Sequence, residues 1–427
     1  MDHTAATRRL NRNDYRTLSL AALGGALEFY DFIIFIFFAS TMGHVFFPPN
    51  SPGWLVQVQT YAVFAAGYLA RPLGGILMAH FGDLNGRKRM FTLSIFLMAL
   101  PTFVMGLLPS YHSIGLAAPA LLLLLRVLQG AAIGGEVPGA WVFVAEHSPA
   151  RRVGFACGTL TAGLTSGILL GSLVASAMHA YYSPEELINY AWRIPFLLGG
   201  VFGLASVYLR GYLHETPIFK EMQAQKTLAQ AWPLKAVLLH HRGAVLVSML
   251  LTWLLTAAIV VVILMTPAWL STLPGISTRD ALLANSLAVL CLSFGCVLVG
   301  HLLDRFDAGR VLILGSLLLA GASYGFYSTM TTHPHWLFTA YAGLGLCVGI
   351  VSAVPYVMVR AFPPMVRFSG LSFSYNVAYA IFGGLTPITL ALLLRYHLLA
   401  PAHYVATISL IGVVIGIYLT IKPRSVF

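Results

Sequence analysis

The chain alternates between long apolar runs and short polar breaks. Apolar stretches cover 17–40, 54–80, 90–108, 116–145, 153–179 and 190–212. A second set covers 243–270, 281–303, 309–330, 335–359, 368–395 and 403–422. A helix of about 20 apolar residues crosses a bilayer, and these runs approach or exceed that length. The bilayer core has no water to pair backbone groups, so each run is expected to be helical. The pattern predicts an all-α membrane protein with twelve transmembrane helices. An N-terminal six-helix bundle over 1–212 is joined to a C-terminal bundle over 243–427 by a polar linker, 213–242, expected to be a surface helix.

Composition agrees. Of 427 residues, 58% are hydrophobic and 9% charged, against about 25% charged in soluble domains. Soluble enzymes, disordered chains and nucleic-acid binders are excluded. The formal charge of +11 is then read as a loop signal, because Lys and Arg concentrate on the cytoplasmic side. Placing the N-terminus inside puts most of the 25 Lys and Arg in cytoplasmic segments, including Arg8 to Arg16, Arg87 to Arg89, Arg151 and Arg152, the linker, and Lys422 and Arg424. Both termini are therefore expected in the cytoplasm. Residues 1–16 are polar and basic and lack a signal-peptide core. The cysteines (157, 291, 296 and 347) sit in apolar runs without metal-ligand spacing. Neither metal nor cofactor is expected.

Charges inside a membrane are costly and are functional candidates by default. They are Glu28, Asp31, Arg71, Arg126 and Glu136, all in the first half. Glu28 and Asp31 are three apart and share a helix face. Counting along the helices puts Glu28 roughly 16 Å deep and Arg126 roughly 15 Å deep. They are expected to meet near the midplane, with Gln129 one turn from Arg126 on the same face. Burial and a like-charged neighbour favour the neutral form of a carboxylate, which suits proton coupling. A planar arginine fork suits carboxylates. Arg71 and Arg126 are thus expected to attract an anionic substrate, with Gln129, Tyr375, Asn376 and Tyr379 lining the site.

The loop GDLNGRKR (82–89) is echoed by LDRFDAGR (303–310), an internal repeat of the kind that builds two-halved transporters. Asp83, Arg87, Arg89, Glu136, Glu146, Asp304 and Arg310 are expected to form a cytoplasmic latch between the halves. Gly158, Gly163, Gly167 and Gly171 read as a single close-packing stripe.

These motifs converge on a known pattern. ALEFYDF (26–32), ARPLGG (70–75), FGDLNGRKR (81–89), RVLQGAAIGGE (126–136), AEHSPARRVGF (145–155), WRIPF (192–196), HETPIF (214–219), VRFSGLSFSYN (366–376) and AIFGGLTPI (380–388) together resemble the metabolite:proton symporter group of the major facilitator superfamily. That group carries citrate, 2-oxoglutarate, shikimate and proline/betaine. The resemblance implies two pseudo-symmetric bundles that rock in alternating access, proton coupling through Glu28 and Asp31, and a central Arg126. It implies a bacterial inner-membrane importer. Two departures stand out: LDRFDAGR is irregular, and Arg360 stands where the family usually has an acid. The long coiled-coil tail of osmosensing betaine carriers is absent after 422, which favours an organic acid. The expectation is a monomeric, proton-coupled importer of a di- or tricarboxylate such as citrate, with no enzymatic activity. The alternatives are a betaine- or proline-like zwitterion and a larger polycarboxylate chelator (a siderophore). A sensor lacks an output domain, an enzyme lacks a catalytic motif, and a passive channel does not explain the repeat.

Overall fold

The computed structural model describes residues 10–85, 87–211 and 233–421, without the side chains of 13, 79–85, 87–92, 95, 210 and 233. Every long element is a helix. We label them α1 (Arg12–Phe37), α2 (Gly53–Asn85), α3 (Arg87–Leu107), α4 (Ala117–His147), α5 (Ala150–Tyr181), α6 (Pro184–Ala191 and Arg193–Leu209), α7 (Arg242–Leu270), α8 (Thr278–Leu303), α9 (Ala308–Thr332), α10 (Pro334–Ala361), α11 (Arg367–Leu393) and α12 (Ala400–Ile421). Among the described residues ten are long and apolar enough to cross a membrane, and α6, bent by 50°, makes an eleventh. The apolar part of α3 described here, Phe96–Leu107, is shorter. The protein is a multi-pass membrane protein.

Local chemistry sets the helix ends. Asn11 caps α1, accepting from Asp14 N at 2.9 Å, while Asp14 accepts from Asn11 N at 2.8 Å. This reciprocal box satisfies two otherwise orphaned donors. Ser277 accepts from Asp280 N at the start of α8, and Asp307 from Arg310 N at the start of α9, each a one-way cap. Of the linker, residues 212–232 lie outside the description. Its end, Pro233–His240, is helical, and Val237 packs with Val245, Ala361 and Phe362.

The packing repeats with a shift of six helices. α2 packs on α4 as α8 does on α10, α3 on α6 as α9 on α12, and α1 on α5 as α7 on α11. The two sets then meet through α5 with α8, and through α11 with α2. We call the face carrying the α4–α5 turn and Asp304 the linker face, because α6 ends and α7 begins there. The opposite surface is the far face.

Candidate functional site

The expected glycine stripe on α5 divides between two partners. A Cβ on Gly158 would lie 2.5 Å from Cys296 O of α8. On Gly163 and Gly167 it would meet Ala22 and Ala26 of α1 instead, and on Gly171 it would meet Phe37. The five-residue step from 158 to 163 rotates the run onto a second face. α5 is thereby held closely against both α1 and α8.

Three of the sequence motifs meet between α2, α4 and α11. α4 breaks at Gly134–Gly135, which leaves the Gly134 carbonyl available. Asn376 of α11 donates to it at 2.5 Å and to Ser372 O at 2.9 Å. A Cβ on Gly75 would lie 2.6 Å from Asn376 Nδ2, so only glycine permits this approach. The side-chain oxygen of Asn376 accepts from Arg71 Nε at 3.3 Å. Arg71 is 1% exposed. Its guanidinium carbon lies 4.4 Å from the ring centroid of Tyr379, 5.2 Å from Tyr375 and 5.5 Å from Tyr68. Trp141 closes the far side of Tyr375, edge to face at 5.0 Å. Tyr379 opens a π-helical turn, Tyr379–Gly383, and a Cβ on Gly383 would strike its ring at 2.7 Å. The expected group of Arg71, Tyr375, Asn376 and Tyr379 is therefore brought together. Tyr68 and Trp141 complete it and were not foreseen. Buried aromatic residues read simply as core in an apolar run.

Arg126 forms a second cluster. It is fully buried, 4.4 Å from the Phe32 ring, 4.8 Å from Phe35 and 5.2 Å from Phe64. Its Nη1 donates to Phe32 O at 3.3 Å and, at short range, to Gln129 Oε1. Tyr68 separates the two arginines, with its ring 5.0 Å from Phe32 and 5.2 Å from Tyr379.

The acids of α1 are placed differently from the sequence expectation. Glu28 accepts from Ser206 of α6 at 2.8 Å. The Asp31 carboxylate points to α3 and α6. A Cβ on Gly199 would lie 2.6 Å from its Oδ1, and among the described residues neither oxygen has a hydrogen-bond partner. Asp31 and Arg126 do not pair directly. Gln129 joins them, accepting from Arg126 and donating to Asp31 O at 3.0 Å and Thr102 Oγ1 at 2.7 Å. The reason is helix rotation. Arg126 projects between α1 and α2, whereas the Asp31 side chain leaves α1 on the other side.

At the linker face, contacts among the described residues cross between the halves. Asp304 accepts from Gly154 N at 2.7 Å and Phe155 N at 3.1 Å, at the start of α5. Anions are favoured at such a helix start. Arg360 donates to Ala150 O at 3.0 Å, and Arg367 lies 3.6 Å from Glu146. The unusual Arg360 thus has a use, reaching a carbonyl where an acid could not donate. Burial raises the Asp304 carboxyl above its ordinary value, against the pull of the two N–H groups and of Arg152 and Arg360. Glu136 is buried just past the α4 break. Arg310 supplies a main-chain N–H to Asp307 within its own half, and its side chain is exposed, so it is not part of these crossing contacts. The side chains of Asp83, Arg87 and Arg89 lie outside the described residues.

Residues 21–387 match the Major Facilitator Superfamily model. The chain is a major facilitator. This facilitator is 32% identical over 418 residues (95% of its length, 83% of the relative) to the glycine betaine/proline/ectoine/pipecolic acid transporter OusA of Dickeya dadantii. It is 32% identical over 416 residues (94% and 82%) to the proline/betaine transporter of Salmonella typhimurium. The Escherichia coli proline/betaine transporter is 30% identical over 416 residues, with the same coverage. Its fold matches the E. coli xylose transporter XylE in a partially occluded inward-open form, with TM-score 0.75 over 97% of this chain and 99% of that one, at 17% identity. The facilitator is a transporter, not an enzyme, and its likeness lies with the proline/betaine carriers.

Proposed function

We propose that this facilitator is a proton-coupled importer of a small zwitterion of the betaine or proline type. The observation that carries this is Arg71, a buried cation lying over the faces of Tyr68, Tyr375 and Tyr379. Aromatic faces of this kind recognise quaternary ammonium groups. A betaine carries such a cation and a carboxylate. If the guanidinium turns to the carboxylate, which its planar fork fits, the rings are left to the ammonium. α2 and α11 supply the rings from both halves, so closure around the solute engages both. The names of the relatives favour the same class.

This reverses the preference for a citrate-like substrate. The expectation drawn from the tail was a poor guide, since we place the solute site on the helices. Arg71 and Arg126 are each enclosed by aromatic rings, whereas a tricarboxylate would call for several exposed cationic donors. Asp31, buried and without a hydrogen-bond partner among the described residues, suits the proton, with Glu28 beside it on the same helix. We read the linker face as cytoplasmic, from the basic segments there, and the chain as twelve spans in a bacterial inner membrane. It acts as a monomer without a cofactor.

The test is uptake of radiolabelled glycine betaine and of citrate into proteoliposomes, with and without an inward proton gradient. Gradient-stimulated betaine uptake, uncompeted by citrate, is expected. Citrate uptake indifferent to excess betaine would overturn the zwitterion reading, and betaine uptake indifferent to the gradient would overturn coupling.

A further inference from the structure

A cavity of about 220 Å³ opens at the far face. It is smaller than the roughly 300–1,000 Å³ pockets of drug-sized ligands, so it suits a small solute. Its walls come from both halves: Gln57 and Tyr61 of α2, Thr266 and Trp269 of α7, Tyr327 of α9 and Arg395 past the end of α11. Tyr61 is seven residues from Tyr68 on the same helix, about 10 Å along its axis toward the far face. The cavity therefore stands on the approach to the tyrosine site without touching it.

Its chemistry is one-sided. Among the described residues Arg395 is the only charged one in the lining, and no acid lines the cavity. Arg395 is held over the Trp54 ring at 5.0 Å. Trp269 is 5% exposed, and among the described residues its indole N–H has no acceptor. Buried donors of this kind are ordinarily paired. Tyr327 packs edge to face on Trp269 at 5.0 Å, and its hydroxyl is already engaged by Thr266 at 2.7 Å. The cavity thus offers a guanidinium and aromatic walls, one of which, Trp269, carries a buried N–H without an acceptor among the described residues.

We propose that this cavity is a second, outer binding site for the same class of small zwitterionic carboxylate. Arg395 and the Trp269 N–H take the carboxylate, and the rings of Tyr61 and Trp269 take the cationic end. The solute is captured here before it reaches Arg71. This rests on the zwitterion reading above. Because Arg395 and Trp54 come from different halves, occupation of the site also draws the solute into the contact that spans the far-face mouth.

The test is isothermal titration calorimetry of the full-length protein in nanodiscs, with glycine betaine as probe. Two sites are expected in the wild type. Arg395→Gln, at an exposed position, should leave one, and Arg71→Gln should also leave one. The double variant should leave none. Trp269→Phe keeps the ring and loses the donor, and should weaken one site by about tenfold while sparing the other. A single wild-type site, unaltered by Arg395→Gln and Trp269→Phe, would overturn the outer site and leave the zwitterion reading intact. No binding by folded wild type would overturn that reading, and the outer site with it.

Discussion

At Arg71 the side chain serves two contacts at once, a position over the Tyr379 ring and a hydrogen bond from Nε to Asn376. Lysine keeps the charge but has neither the plane nor the fork. Hydrogen bonds to charged groups contribute about 1.5–3 kcal/mol, and 1.4 kcal/mol is tenfold in affinity. Arg71→Lys is therefore expected to raise the KM for betaine uptake ten- to a hundredfold with the protein still folded, as initial-rate kinetics would show. An unchanged KM would remove Arg71 from the site. The position of this residue was partly legible in the sequence. Depth follows from counting at 1.5 Å per residue, so Arg126 and the acids of α1 could be placed at one level. Rotation about the helix axis does not follow, because packing against neighbours sets it. That is why Gln129, and no direct contact, joins Arg126 to Asp31. Tyr68 and Trp141 were hidden for a different reason, since an aromatic residue in an apolar run has no signal separating a cage from a core.

Helix pairs in a membrane gain little from burying apolar surface, because lipid is equally apolar, and close contact through small residues takes over. α2 and α4 show this. A Cβ on Gly130 would lie 1.8 Å from Gly67 O, and one on Gly74 would lie 1.7 Å from Ala131 O. The obstructing atoms are backbone, so no side chain can turn aside. Gly130→Ala is expected to force the two helices apart, at about 1–3 kcal/mol for overpacking, and to displace Arg71 and Arg126 from each other. A lower melting temperature in detergent and reduced betaine uptake should appear together. Gly321→Ala on α9 is the control, since nothing lies within 4 Å of its Cβ position. If both variants melt alike, the close approach is not what holds the pair. The sequence marked ARPLGG and RVLQGAAIGGE only as motifs of the family resemblance. It did not announce their partner, because Asn376 lies 242 residues from the Gly134 carbonyl it binds.

For the whole molecule, the two faces are held by different contacts. The linker face is crossed by the Asp304, Arg360 and Arg367 contacts. The far-face end is crossed by Arg395 over Trp54 and, deeper, by Ser172 of α5, which donates to Leu282 O of α8 at 2.8 Å and accepts from Asn285 and Ser286. An exposed cation–π contact is worth about 0.5–1 kcal/mol, so Arg395 alone does not hold that face. Asp304 makes the linker face responsive to pH. Burial holds its carboxyl above the ordinary value while the face is closed. Once the face opens, the group is solvated and returns toward about 3.9. The closed state thus binds the proton more tightly and gains stability relative to the open state as pH falls toward that value. It loses that advantage as pH rises through the raised value. Arg152 and Arg360 are the cations that act on Asp304. Spin labels at exposed positions 151 and 305, read by distance measurements in nanodiscs, should report a shorter linker-face separation at pH 4 than at pH 8. Asp304→Asn keeps the shape, removes the titrating group, and should flatten that response. If the variant follows the wild-type curve, another group sets the pH dependence and Asp304 is a fixed clasp on the start of α5.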